Sequence, residues 1–324
     1  MKKILLTGAS GFIGYHVAQH LLQSNYQVIA PVRKISLNKP TVAALKQQGL
    51  KVIEGEFYDS TLLSRAARYT FDAIVHLAAI RGEQGYRYKE YRRVNLQGTE
   101  RLLDFAVKQH IREFIFCSSV GVHGTIPPNQ PASVQAPLKA DNFYHRSKLE
   151  AEKLVQTAHN SNLNTLILRP TVTYGLMDDG FMPRLIHLLK NKRFPLSTCP
   201  VKIHLLSVNT LAELVVRVIE KQKLNGKAYI VADREPVLLK SIVELIIDHA
   251  QGKQKFSYVT LPLFVFRTGE GLLRFLGNKK WLTSLRLISR DWTYNIADTI
   301  ADLNYMPQDT MKEILPVIRE YLNG

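Results

Sequence analysis

Residues 7–14 read Thr-Gly-Ala-Ser-Gly-Phe-Ile-Gly, with glycine at every third place, between a short apolar run and a helical pattern. That context narrows the fold more than any other feature of the chain. Gly8 permits a tight exit from a strand, and Gly11 lets backbone approach a bulky anion with no Cβ in the way. Gly14 lets the next helix pack close to the strand. The helix start offers unpaired N–H groups and the positive end of its dipole. Spaced glycines alone are common in turns, but a strand before them and a helix after them make a phosphate cradle. Thr7, Ser10, Phe12 and Ile13 complete the segment and join the glycines as candidate cofactor contacts.

Beyond this turn, apolar runs at 3–6, 27–32, 51–54, 73–77, 114–117 and 165–168 alternate with helical patterns over 12–24, 94–109 and 144–157. Ile13, Val17, Leu21 and Leu22 mark the apolar stripe of the first of these. Such alternation predicts an α/β fold, a Rossmann-type doubly wound parallel sheet with crossover helices. After Tyr174 the rhythm changes: a loop with two aspartates at 175–180, an irregular stretch at 193–200, then helices over 210–220 and 241–250. We therefore expect a dinucleotide-binding domain over 1–174 and a smaller, mainly C-terminal substrate lobe over 175–324, the two exchanging segments.

At 46% hydrophobic and 22% charged residues, the chain has the composition of a folded globular protein. Its greasiest stretch, 261–276, is interrupted by Arg267, Glu270 and Arg274, and no run approaches the ~18 apolar residues of a membrane span. Cys117 and Cys199 are too few for a disulfide framework and lack metal-ligand spacing, so a reducing cytoplasm and no metal are expected. The formal charge of +16 favours anionic ligands. No basic–aromatic repeat accompanies it, so nucleic acid is not an expected partner.

An NAD site usually has a carboxylate at the end of its second strand to hold the ribose 2′-OH. Here that place reads Ala30-Pro31-Val32-Arg33-Lys34. Arg33 can grip a 2′-phosphate bidentately and Lys34 can add a point charge, so NADP is expected, with NAD as the alternative. Further along, Tyr144 and Lys148 are spaced i, i+4 on one helical face. A free tyrosine, with a pKa near ~10, is a poor base at neutral pH. An ammonium beside it, with a positive nicotinamide, favours the phenolate and makes proton transfer feasible. Ser119, after the fifth run, can hydrogen-bond a substrate oxygen.

Phosphate turn, Ser119 and Tyr-x-x-x-Lys in this order resemble the extended short-chain dehydrogenases/reductases, the superfamily of sugar-nucleotide epimerases, dihydroflavonol reductases and 3β-hydroxysteroid dehydrogenases. The resemblance covers nearly the whole chain and is densest over 1–175. It implies that Ser119 and Tyr144 bind the substrate oxygen, that Tyr144 exchanges its proton, and that Lys148 also holds the nicotinamide ribose. It further implies cofactor contacts from Glu56 and Phe57, from Leu77, Ala78 and Ala79, and from Asn95, Ser118, Pro170 and Val172. Arg81, Val120 and His123 become candidates for the substrate side, with His123 more simply read as a buried structural histidine. Asp302-Leu303-Asn304-Tyr305-Met306-Pro307 resembles the family's closing Leu-Gly-Tyr-x-Pro, with Asn304 for glycine.

Departures discriminate between branches. The 4,6-dehydratases place an Asp-Glu pair after the catalytic hydroxyl residue, whereas this chain has Val120-Gly121. Sugar-nucleotide epimerases commonly carry an asparagine shortly after the position of Arg169, where Thr171, Val172 and Thr173 stand. The expectation is an NADP(H)-dependent oxidoreductase interconverting a hydroxyl and a ketone on a small molecule. A nucleotide-sugar epimerase with tightly bound NAD is the alternative, and a non-catalytic NAD(P)-binding sensor a third. The apolar tail residues Phe264, Phe266, Leu272, Leu273, Phe275 and Trp281 read as core, as a greasy pocket, or as a peripheral membrane contact helped by Lys279 and Lys280. Relatives often dimerise through helices that here begin near Lys89 and Asn142. The cations Arg81, Arg87, Lys89, Arg92 and Arg93 would repel their copies there, so a monomer or a homodimer fits.

Overall fold

The computed structural model describes residues 1–82, 85–160, 162–191, 193–222, 224–250 and 256–323, without the side chains of Lys279 and Lys280. Seven parallel strands form the central sheet: β1 (Lys3–Thr7), β2 (Gln27–Val32), β3 (Lys51–Glu54), β4 (Ala73–His76), β5 (Glu113–Cys117), β6 (Asn164–Pro170) and β7 (Ala228–Val231). Their order is β7-β6-β5-β4-β1-β2-β3. The chain winds outward from β1 to β3, then returns to start β4 on the other side of β1. That reversal opens a crevice at the carboxyl ends of β1 and β4, where doubly wound sheets bind ligands.

The strands are apolar runs because both faces of the sheet are covered. Ile4 and Leu6 point to one face and pack with Val17 and Leu21 of the first helix, Phe12–Gln23, and with Leu211 and Val215 of the helix Val208–Lys221. Leu5 points to the other, with Ile74, Phe114 and Phe116, under the helices Ser60–Ala66, Gly98–Lys108 and Phe143–Ala158. Each such side chain, fully buried, is worth about 1.5–3 kcal/mol in lost apolar exposure.

Three elements differ from the sequence expectation. β7 forms the sheet's edge beside β6, with Ala228 opposite Ile167, although its residues follow those of the lobe. The stretch expected to be irregular at 193–200 contains a strand, Phe194–Ser197, because it pairs with the remote Tyr258–Leu261. The helix expected at 94–109 begins at Tyr88 and passes through a π-helical segment, Arg92–Gln97, before Gly98–Lys108. The lobe is completed by Val172–Tyr174 paired with Leu205–Ser207, and by two helices, Leu263–Phe275 and Lys279–Ser289, packed on each other. Among the described residues, no helix is long and apolar enough to cross a membrane.

Candidate active site

The phosphate turn is tight by necessity. Gly8 has φ +84°, and a Cβ there would lie 2.8 Å from the Ala78 amide nitrogen. A Cβ on Gly14 would stand 2.0 Å from the Gly8 carbonyl oxygen, so the helix reaches its place only because that side chain is a hydrogen. Gly11 is the N-cap of the helix, with no side chain capping the first turn and no acid within it. Its unpaired N–H groups face a cleft of about 580 Å³ that runs along the carboxyl ends of the strands.

The cleft brings together most of the residues singled out in the sequence. Gly8, Ser10, Gly11, Phe12, Ile13 and Gly14 line one wall, and Arg33, Glu56 and Phe57 line the far end. Leu77, Ala78, Ala79 and Arg81 follow β4, and Ser118, Ser119, Tyr144, Lys148 and Pro170 close the remaining side. Six others are not among its lining residues. Lys34 is exposed in the 3-10 turn after Arg33, and Val172 packs against the core from the strand beside Leu205–Ser207. Val120 is buried in the turn behind Ser119.

Thr7, Asn95 and His123 brace the site from behind. The Thr7 hydroxyl accepts from the Ala78 amide (3.2 Å) and donates to Nδ1 of buried His76 (2.7 Å), whose Nε2 faces Thr99 (3.0 Å). Burial, then the charge of Lys148, hold His76 below its ordinary pKa, consistent with a neutral ring in this chain of donors. Asn95, presented by the π-helical segment, accepts from the Ile80 amide (2.8 Å) and donates to Ser147 (2.9 Å), so it ties the β4 loop to the Tyr144 helix. His123 is fully buried between the Ala136 carbonyl (3.1 Å) and Arg169 (3.2 Å), a structural histidine held below its usual pKa by burial.

The Tyr144 helix is capped by Asn142, whose side chain accepts from the His145 amide (2.8 Å). One turn on, Lys148 is buried, with its Nζ 4.4 Å from the centroid of the Phe116 ring. Burial lowers its pKa to about 8 against the raising influence of Cys117 and Glu152. Tyr144 is pushed up, first by burial of its hydroxyl, while a hydrogen bond with Ser119 pulls the other way. The tyrosine therefore rests as a neutral hydroxyl beside Ser119, and Lys148 lines the same side of the cleft. Ser119 itself accepts from the Gly121 amide (3.0 Å).

Several cleft residues carried no motif. Arg93 lines the Arg33 end, and the charges of Arg93, Arg33 and Arg101 act on Tyr58 there against Glu56. Lys39 reaches back to the Ser10 carbonyl (3.5 Å). Asp179, from the loop at 175–180, pairs with Arg81 across the mouth. Local periodicity does not reveal them: Arg93 comes from the π-helical segment and Asp179 from a loop, and Lys39, outside the lining, only approaches the cradle. Two buried hydroxyls on the cleft wall, Ser118 Oγ and Thr171 Oγ1, have no hydrogen-bond partner. Such orphans on the wall of a cleft that also holds a glycine-built anion cradle fit a bound dinucleotide, which supplies the missing donors and acceptors.

Fold, cradle and hydroxyl–lysine pair define a nicotinamide-cofactor enzyme. The family model for the NAD-dependent epimerase/dehydratase family matches residues 4–232, and the chain belongs to that family of extended short-chain dehydrogenases/reductases. It is 33% identical over 282 residues to UDP-glucose 4-epimerase from Vibrio cholerae, covering 82% of this chain and 80% of that one. It is 27% identical over 336 residues to 4-hydroxy-2-methyl-3-oxo-4-farnesyl-3,4-dihydroquinoline-1-oxide ketoreductase from Stigmatella aurantiaca, covering 98% and 96%. UDP-glucuronic acid 4-epimerase from Bacillus cereus, crystallised with NAD, shares the fold at a TM-score of 0.79, covering 99% and 98% at 20% identity.

Proposed function

We propose that this enzyme is an NADPH-dependent reductase that converts a ketone on a small molecule to a secondary alcohol. The observation that carries this reading is the layout of the cleft, with Ser119, Tyr144 and Lys148 on one side and the cation Arg33 at its far end. Burial raises the Tyr144 pKa, so the residue carries a proton at neutral pH that it can give to a carbonyl oxygen gaining charge. When bound, the dinucleotide supplies the hydride to the carbonyl carbon. Ser119 orients the carbonyl oxygen, Tyr144 gives it a proton, and the cationic Lys148 stabilises the phenolate left behind. Gly8–Gly14 and the helix start would hold the pyrophosphate. Arg33, with Arg93 beside it, would hold a 2′-phosphate, and Lys148 the nicotinamide ribose.

The S. aurantiaca ketoreductase, aligned over nearly both lengths, supports the reductive reading. The V. cholerae relative favours a second one, a nucleotide-sugar epimerase that keeps NAD bound and returns the hydride to the other face. The deciding experiment is a fluorescence titration of purified protein with NADPH and NADH in parallel. NADPH should bind more tightly. Arg33→Ala should weaken NADPH about ten- to a hundredfold, the worth of a charge-assisted bidentate contact, while leaving NADH little changed. Tyr144→Phe should retain NADPH affinity and lose NADPH consumption with every ketone the parent reduces. NADH preference, or NAD already bound on purification, would overturn the assignment in favour of the epimerase.

A further inference from the structure

The paired helices Leu263–Phe275 and Lys279–Ser289 end in an apolar, positively charged tip. Phe275 is 88% exposed, Leu276 63% and Trp281 62%, with Phe264 and Leu272 exposed along the first helix. Gly277, at φ +67°, turns the chain, and Asn278 caps the second helix by accepting from the Trp281 amide (3.3 Å). The hairpin is therefore a formed element with its greasy end outward. None of these five side chains lines the catalytic cleft, so they do not serve as the substrate pocket described above.

The charges of the hairpin are sorted in the same sense. Residues 263–290 contain Arg267, Arg274, Lys279, Lys280, Arg286 and Arg290 against one acid, Glu270. That acid is turned inward, buried, and held by Arg290 (2.9 and 3.0 Å) and Arg286 (3.4 Å). Arg267 and Arg274 lie on the exposed side with the apolar residues. An outward surface of aromatic and aliphatic groups among cations, with no exposed carboxylate in this segment, complements an anionic bilayer boundary. Two copies meeting tip to tip would instead set like charges against each other. A 13-residue helix rises about 20 Å, too little to cross the hydrocarbon core, so contact is from the side.

We propose that this hairpin docks the enzyme on anionic membrane, with Phe275, Leu276 and Trp281 entering the headgroup–acyl boundary. At the hairpin's base Arg286 approaches Asp141 (4.0 Å), which precedes the cap of the Tyr144 helix.

The chain carries its own reporter, because Trp281 is exposed while its second tryptophan, Trp292, is 3% exposed. The experiment sediments the full chain with vesicles of phosphatidylcholine alone and of phosphatidylcholine with phosphatidylglycerol, and records tryptophan emission. Binding to the anionic vesicles with a blue shift is expected, and the blue shift should vanish in Trp281→Phe. Phe275→Ser with Leu276→Ser should reduce partitioning at least about tenfold, since each buried large side chain is worth a kilocalorie or more. These positions are exposed, so an unchanged melting temperature is the control for folding. The proposal is overturned by failure to sediment, or by binding that the double substitution leaves intact, which would make it a property of the overall charge. It is equally overturned by a blue shift that grows with protein concentration in the absence of lipid, which would assign the tip to a second copy.

Discussion

Lys148 carries a cost that its chemistry requires. Its ammonium lies in an apolar surround over the Phe116 ring, and burial brings its pKa from 10.5 to about 8. Below about pH 8 the folded chain must hold a buried charge that the unfolded chain keeps in water, a penalty of roughly 3 kcal/mol. The penalty shrinks as the pH rises from about 8 toward 10.5, where both forms become neutral. Lys148→Met should therefore raise the melting temperature of the ligand-free enzyme by several degrees at pH 7, and the gain over the parent should narrow by pH 10. Thermal melts across that range check both statements, and a destabilised variant at pH 7 would refute them. Lys148 and Tyr144 were legible in the sequence because i, i+4 spacing puts two side chains on one helical face. Lys39 and Asp179 were not, since a loop's course decides what a side chain on it can reach, and Arg93 was not, since its place at the cleft depends on how the π-helical segment packs.

The helix Phe143–Ala158 carries a third residue on that face. Glu152, one turn beyond Lys148, receives a bidentate pair from Arg169 on β6 (3.0 and 2.7 Å), with both side chains buried. Arg169 also donates to the Val134 carbonyl (3.0 Å), so one guanidinium fixes helix, sheet and loop together. Glu152→Leu alone strands a buried cation and should cost about 3–5 kcal/mol in urea unfolding. Adding Arg169→Met should recover part of that loss, because the remaining deficits are neutral groups without a donor. A double variant no more stable than the single one would show that the pair is not the source of the cost. Most strands were readable as runs of apolar residues, since a sheet covered on both faces demands them. β7 was not: Ala228–Val231 lies beyond the point where the strand–helix alternation breaks off, so only its pairing with β6 marks it as a strand of this sheet. The strand Phe194–Ser197 shares that difficulty, its partner being supplied from 258–261.

Across the whole molecule, what separates sheet from lobe in the sequence is a change of rhythm near Tyr174, yet the chain returns to the sheet at β7 and leaves again. The joint where it leaves is Asp233. Its carboxylate accepts from the Tyr174 hydroxyl (2.8 Å), the Thr310 hydroxyl (2.7 Å) and the Ser207 amide (2.9 Å), so four remote segments meet on one buried side chain. No local pattern announces such a node, because each partner is set by tertiary packing. Burial lifts the Asp233 pKa from 3.8 to about 6 despite those three donors. Above pH 6 the folded chain therefore bears a buried charge at a cost of roughly 3 kcal/mol, which fades as the pH falls from 6 toward 3.8. Asparagine at this place keeps an oxygen for the Ser207 amide, and its NH2 can donate to both hydroxyls once they turn to accept. Asp233→Asn should thus raise the melting temperature at pH 7.5, with the advantage over the parent shrinking toward pH 4.5. A variant that is less stable at both pH values would mean that the hydroxyls cannot reorient, and that the joint depends on the charge itself.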